Sequence, residues 1–184
     1  MLYIVGGAPR AGKSILARQM LAEHHLPYFS VDTLMMGIAK GMPEFGLRLC
    51  DPALKRAGPL WPIVRGMAES FVERGDDYLL EGDVILPSHI VELDSKFSPG
   101  IRSCFIGYAL IDPVKKMRAI RSYAAGKTDW TQELDDADLL ELIGELKGFS
   151  DYLRRECCRY RLPYFDGSAR FSKALREASA HLRS

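Results

Sequence analysis

The sequence predicts an α/β fold built on a largely parallel sheet. Three observations support this. Short apolar runs alternate with longer segments whose apolar residues recur at helical spacing. The first run, Leu2–Val5, is continuously apolar, as a strand covered on both faces is. No internal repeat or low-complexity tract interrupts the alternation, and the natural strand count is five, near residues 2–6, 28–31, 78–81, 102–109 and 162–165.

Gly6-Gly7 ends the first strand, and Ile15, Leu16, Met20 and Leu21 then mark a helix running to His24. Tyr28 to Val31 is a short second strand stopping at Asp32. A helix begins at Thr33, but Gly37, Gly41, Pro43 and Gly46 break the stretch, which reads as irregular rather than as one long element. Pro59 to Arg74 is a helix with an apolar stripe of Ile63, Val64, Met67 and Phe71 and with Pro62 in its first turn. Gly75-Asp76-Asp77 closes it, and strand Tyr78–Leu80 runs into Glu81-Gly82-Asp83. A helix after Pro87 holds Ile90, Val91 and Leu93, and Pro99-Gly100 opens the most hydrophobic strand, about 102–110. Asp112–Tyr123 is helical and carries Lys115, Lys116, Arg118 and Arg121, followed by a polar stretch to Gln132. Glu133–Arg159 is one long helix or two, built on Leu139, Leu142, Ile143, Leu146 and Leu153; Arg161–Phe165 is the last strand and Ser172–Leu182 the last helix.

The 184 residues suit one domain, against a typical size of about 150. With 25 Lys+Arg against 24 Asp+Glu, the formal charge of +1 provides no field for gripping nucleic acid or an anionic membrane, so neither is expected as a partner. Cys50, Cys104, Cys157 and Cys158 lack disulfide-framework or metal-ligand spacing and read as reduced thiols, with the adjacent pair on the inner or partner-facing side of the long helix. The N-terminal residues lack the basic stretch of a signal peptide, and no apolar run approaches the length of a membrane span, so a cytoplasmic protein is expected. Nothing in the sequence specifies an oligomeric state.

Gly7-Ala8-Pro9-Arg10-Ala11-Gly12-Lys13-Ser14 matches GxxxxGK[ST] at every fixed position, between a predicted strand and a predicted helix. Glycines let the backbone wrap phosphate, and the amides of Ala11 to Ser14 point inward at a helix N-terminus. Lys13 reaches the β and γ phosphates, and Ser14 offers a hydroxyl to Mg²⁺. This defines a nucleoside triphosphate site without saying what happens to the phosphate.

No NKxD segment for guanine is present, and the chain is short for a helicase or transporter. A compact kinase fits, because each part phosphoryl transfer needs has a candidate at a strand end. Asp32 orients or deprotonates an acceptor hydroxyl, and doubles as a helix cap. Glu81 stands where a Walker-B carboxylate holds Mg²⁺ through water, with Asp83 beside it. Arg118 and Arg121 share one helix face and read as phosphate ligands of a short lid, with Lys116, Lys127 and Trp130 nearby. Arg154 and Arg155 are weaker candidates. Arg48 and Arg65 are placed to hold an anionic acceptor, and Lys40, Lys55 and Arg56 lie in the same segment. His24 and His25 favour a helix C-terminus, His89 and His181 are isolated, and Trp61 reads as packing.

In their order, Gly7–Ser14, Ser30-Val31-Asp32-Thr33, Tyr78–Asp83, the Arg118/Arg121 pair and Phe165-Asp166-Gly167-Ser168 resemble the adenylate-kinase-like P-loop kinases. The branch they look closest to holds 2-phosphoglycerate-kinase-like, zeta-toxin-like and chloramphenicol-phosphotransferase-like proteins. The resemblance implies a P-loop NTPase fold with sheet order 2-3-1-4-5, Mg²⁺-ATP at the loop, an acceptor-binding helical insert at about 33–76 and a lid at about 118–134. It implies that Asp32 is the acceptor-side carboxylate, that Glu81-Gly82 replaces the Asp-Gly of the DGFPR motif, and that Gly167, Ser168 and Ala169 contact adenine. Asp83-Val84-Ile85 stands where Phe-Pro-Arg would clamp a nucleoside monophosphate, which argues against an adenylate kinase. The expected activity is transfer of the γ-phosphate to a hydroxyl or phosphate of a small molecule. The alternatives are a nucleotide-dependent regulatory protein with little turnover and a toxin-like kinase acting on a cell-wall precursor.

Overall fold

Five parallel strands form one sheet in the order β2-β3-β1-β4-β5 in a computed structural model that describes residues 1–122 and 130–184. The strands are β1 (Leu2–Gly7), β2 (Tyr28–Ser30), β3 (Tyr78–Gly82), β4 (Ile101–Gly107) and β5 (Tyr164–Asp166). Among the described residues, seven α-helices flank them: α1 (Lys13–His24), α2 (Val31–Gly41), α3 (Ala53–Arg74), α4 (Pro87–Phe97), α5 (Pro113–Ser122), α6 (Asp136–Tyr160) and α7 (Phe171–Arg183). Helices α1 and α7 pack together, while α4 packs against α3 and α6, which gives the two helical layers that cover a parallel sheet. Leu2, Leu79, Leu80, Phe105 and Ile106 have no exposed surface, so the central strands are buried on both faces. This is the expected architecture, strand order included.

Register positions the chemistry. Gly6 pairs with Gly82, Val5 with Glu81 and Ser30 with Glu81, so the C-terminal ends of β1, β2 and β3 lie side by side. The loops after them therefore open at one edge of the sheet, the usual ligand edge of an α/β fold.

The segment after Asp32 stays helical through Gly37 to Gly41, further than expected, whereas from Met42 to Pro52 it is irregular as expected, apart from the 3-10 turn Pro43–Phe45. Val31, Met35 and Ile38 are buried at helical spacing, and a Cβ at Gly37 would meet nothing within 4 Å. One buried stripe outweighs about 1 kcal/mol of glycine cost. Helix α3 begins at Ala53 rather than Pro59, so Pro59 and Pro62 lie inside it and not in a first turn. Both prolines are exposed, where the carbonyls they deprive of a partner can meet water. The buried stripe is Ala53, Ala57, Leu60, Val64 and Ala68; Ile63, Met67 and Phe71 are half-buried at its side. On α4, Ile90 and Leu93 are buried but Val91 is 40% exposed. Strand β4 ends at Gly107, short of Leu110. Helix α6 is a single element of 25 residues, and its cap Asp135 accepts a hydrogen bond from the Asp138 amide.

All four cysteines are free; Cys104 and Cys157 are buried, whereas Cys158 faces outward, so the adjacent pair splits between core and surface. Among the described residues, no helix is long and apolar enough to cross a membrane.

Candidate active site: the phosphate loop and its carboxylates

β1 delivers the chain to Gly7 at φ 148°, where a Cβ would collide with the Ile106 carbonyl of the neighbouring strand. Gly12, at φ 98°, is the N-cap of α1, and a Cβ there would lie 2.7 Å from Phe171 Cζ. Both glycines of the motif are thus required by geometry. Arg10 also adopts a left-handed conformation, at φ 62°. Ile15 and Leu16 donate to the Gly12 carbonyl at 3.0 Å, so the amides of Lys13 and Ser14 precede the first helical bond and suit an anion.

Side chains fasten the loop from behind. Tyr108 donates its hydroxyl to the Pro9 carbonyl at 2.7 Å, and Lys116 donates to the Arg10 carbonyl at 2.8 Å. The Lys116 ammonium sits 4.0 Å from the Tyr108 ring centroid; burial, then the neighbouring Arg10 charge, pulls its pKa down to about 8. The Arg10 guanidinium hydrogen-bonds Thr131 Oγ1, joining the loop to the start of the segment before α6.

Lys13 is 5% exposed and donates to the Ala8 carbonyl at 3.0 Å. Ser14 donates to Glu81 Oε1 at 3.1 Å, across from β3, and the fully buried Glu81 keeps Oε2 without a hydrogen-bond partner. A hydroxyl and a carboxylate with one orphaned buried oxygen form the hard-oxygen donor pair Mg²⁺ takes in such loops, with water and phosphate completing the shell. Among the described residues there is no cluster of three metal-ligating side chains, so an all-protein cage is not formed.

Asp32, in the first turn of α2, has a buried Oδ1 with no partner. Burial, reinforced by the Asp83 and Glu81 charges and opposed by Lys13 and Arg56, raises its pKa to about 6. Asp83, 6% exposed, accepts from Arg56 Nη2 at 3.0 Å through Oδ2, while its Oδ1 stays unpartnered. Arg56 lies on α3, donates Nη1 to Met35 Sδ at 2.7 Å, and has a buried Nε with no partner.

Lys13, Ser14, Asp32, Glu81 and Asp83 are therefore assembled at one sheet edge, as the sequence suggested. Arg56 joins them although it was not singled out. The missed signal was helix phase: only a helix starting at Ala53 puts Arg56 beside the buried Ala53–Ala57–Leu60 stripe. Tyr108 was also missed, and Lys116 and Asp166 were named only as a lid neighbour and a motif member, without the roles they have here. Asp166 ends β5 and accepts from the amides of Ala109 at 3.0 Å and Ser168 at 2.8 Å. With the Gly167 amide on the Gly107 carbonyl at 2.8 Å, this fixes the Gly167-Ser168-Ala169 turn beside the loop.

Other candidates stand differently. Arg121 is engaged with Asp136 Oδ1 at 2.9 Å and with the carbonyls of Thr131 and Leu134, so it fastens the end of α5 to the start of α6. Arg118 is exposed on α5, without a hydrogen-bond partner among the described residues. Of the expected lid, residues 123–129, Lys127 among them, lie outside the described residues, and Trp130–Gln132 form a short 3-10 turn. Arg48 is fully solvent-facing beside Cys50, and Arg65 pairs with Glu92 at 2.8 Å on the exposed side of α3. Arg154 and Arg155 pair with Asp151. Trp61 stacks on His89 at 3.9 Å and donates to Glu92.

The strand order, the phosphate loop between β1 and α1 and the carboxylates at the ends of β2 and β3 define the adenylate-kinase-like P-loop fold of small-molecule kinases. Solved structures share it over nearly the whole chain. A shikimate kinase from Bacteroides thetaiotaomicron is 15% identical, with 100% of this chain and 99% of that chain covered and a TM-score of 0.62. A gluconokinase from Sinorhizobium meliloti is 17% identical over 98% and 90%, with a TM-score of 0.59. A sugar kinase from Janibacter is 14% identical over 99% and 94%, also at 0.59. At these identities the likeness is one of fold. No family model and no curated protein matches the sequence.

Proposed function

We propose that this protein is an ATP-dependent kinase that transfers the γ-phosphoryl group to a hydroxyl of a small molecule. The observation that carries the reading is the pairing of Asp32 with Glu81 beside Lys13, each carboxylate keeping one buried oxygen without a partner. A switch or simple ATPase needs the loop and a metal carboxylate; a second buried carboxylate charged with no other task suits an acceptor hydroxyl.

Lys13 leaves the Ala8 carbonyl to meet the β and γ phosphates, and the amides at the start of α1 receive their oxygens. Ser14 and Glu81 would hold Mg²⁺, which would neutralise phosphate charge. Asp32 accepts the acceptor's proton as the new O–P bond forms and the bond from the γ-phosphorus to the bridging oxygen breaks, releasing ADP. Arg118 supplies positive charge from α5, and the Gly167–Ala169 turn borders the adenine.

Calorimetry paired with an acceptor-dependent ADP assay tests this. Lys13→Ala is expected to weaken Mg-ATP binding and abolish transfer. Asp32→Asn is expected to bind Mg-ATP within about 3-fold of wild type while losing about 10²–10⁴ in kcat. Mg-ATP binding with no ADP formed in response to any acceptor would overturn the kinase reading in favour of a regulatory nucleotide-binding protein.

A further inference from the structure

Arg10 is the strained point of the phosphate loop. Its φ of 62° is a conformation L side chains rarely adopt, so its surroundings must hold it there. Tyr108 donates to the Pro9 carbonyl at 2.7 Å and Lys116 to the Arg10 carbonyl at 2.8 Å. These carbonyls belong to the two peptides that flank the Arg10 Cα, so the two contacts constrain both of its dihedrals. A loop carbonyl that swung towards the phosphates would set partial negative charge against their oxygens.

The hold from Lys116 depends on its charge. The ammonium lies 4.0 Å from the Tyr108 ring centroid, an attraction that a cation has and a neutral amine lacks. Among the described residues no carboxylate pairs with it. The charge that bears on it is Arg10, itself engaged with Thr131, while burial raises the Tyr108 pKa and keeps that hydroxyl neutral. On α5, Asp112, Lys115 and Arg118 are exposed, and Asp136 at the start of α6 is taken by Arg121. Burial, then Arg10, brings the Lys116 pKa down to about 8, so the ammonium sits where its charge is disfavoured. Phosphate oxygens in the loop would supply negative charge beside it.

We propose that Lys116 is a positioning residue for the phosphate loop, that it acts as an ammonium, and that triphosphate binding is linked to its protonation. This deepens the nucleotide half of the kinase reading and rests on it; the acceptor does not enter. Bound phosphate favours the protonated amine, and by reciprocity the protonated amine favours bound phosphate. Above about pH 8 the amine loses its hold on the Tyr108 ring, the Arg10 peptide is freed, and affinity falls.

The test is calorimetry of Mg-ATP binding to the whole protein at pH 7.5, 8.5 and 9, without acceptor. Each pH is run in two buffers of different ionisation enthalpy, which counts the protons taken up. Binding is expected to be at least about 3-fold weaker at pH 9 than at pH 7.5, with uptake of about half a proton at pH 8.5. Asp32, at about 6, titrates well below this range. Lys116→Arg stays charged throughout and is expected to bind within about 3-fold of wild type at pH 7.5, with neither the loss at high pH nor the uptake. Lys116→Met keeps an apolar stem on the Tyr108 ring but no charge, and is expected to bind about 10-fold more weakly at pH 7.5, again with no uptake. Melting temperatures are recorded for both, and should Lys116→Arg fail to fold, Lys116→Met carries the comparison. A wild-type affinity that is flat from pH 7.5 to 9 would overturn the assignment and leave the nucleotide site standing. Uptake that persists in a folded Lys116 variant, or Lys116→Met binding as tightly as wild type, would do the same. No Mg-ATP binding by wild type at any of these pH values would overturn the kinase reading and the assignment together.

Discussion

Asp32 must be ionised to take a proton, yet its surroundings oppose ionisation: burial first, then the negative charge of Asp83. With its pKa raised from 3.8 to about 6, the carboxylate is mostly charged at neutral pH and loses its charge just below it. The proposed base therefore predicts an acidic limb near pH 6 in kcat/KM for Mg-ATP, which reports the nucleotide-free protein. Asp83→Asn removes the largest charge that raises it and is expected to move the limb to lower pH. A limb that stays put in a folded Asp83→Asn protein would assign it to another group. At this scale much of the site was legible. Lys13 and Ser14 are fixed by spacing, and Asp32, Glu81 and Asp83 follow apolar strands, where a carboxylate has few structural reasons to be. Arg56 was not legible, because one arginine among Lys40, Arg48, Lys55 and Arg65 carries no mark of burial. Its role depends on the aspartate it faces, 27 residues away.

Elements were harder to read where glycine and proline sit on solvent faces. Gly37 in α2, and Pro59 and Pro62 in α3, look like breaks, but each occupies an exposed or open position where local cost is outweighed by a buried stripe. Strand ends and the phosphate loop were easier, since there the glycines are forced by close neighbours, backbone at Gly7 and side chains at Gly12 and Gly82. The loop's supports come from the segment after β4, and no local pattern marks them. Tyr108 and Lys116 each hold one loop carbonyl outward, and the ring lies beneath the ammonium. Tyr108→Phe keeps the ring and removes the hydroxyl that holds Pro9. The expected outcome is about 1 kcal/mol of lost stability and about 5-fold weaker Mg-ATP binding by calorimetry, with the acceptor KM unchanged. A loss confined to stability, with nucleotide affinity intact, would mean that the loop keeps its shape without this contact.

Across the whole molecule, His89 and Asp32 make opposite demands on pH. His89 packs between the start of α4 and Trp61, its Nδ1 accepting from the Leu86 amide at 3.1 Å, and burial lowers its pKa from 6.5 to about 4. Between about pH 6.5 and 4 the unfolded chain binds a proton at this site that the folded chain does not, so acid erodes stability. Asp32 does the reverse: between about pH 4 and 6 the folded chain retains a proton the unfolded chain has released, so stability from this group falls as pH rises. Each effect is on the order of 3 kcal/mol, and over this shared window they largely cancel. Single substitutions separate them. His89→Gln keeps a side-chain acceptor at this position of the cap, and its stability relative to wild type, measured by urea unfolding, is expected to improve as pH falls from 6.5 to 4. Asp32→Asn is expected to be more stable than wild type at pH 7 and to lose that advantage by pH 4, because it removes a buried charge kept for chemistry rather than for folding. Parallel pH curves for Asp32→Asn and wild type would mean that the carboxylate is not strained by its surroundings, and the acceptor base would then have to be sought at Asp83.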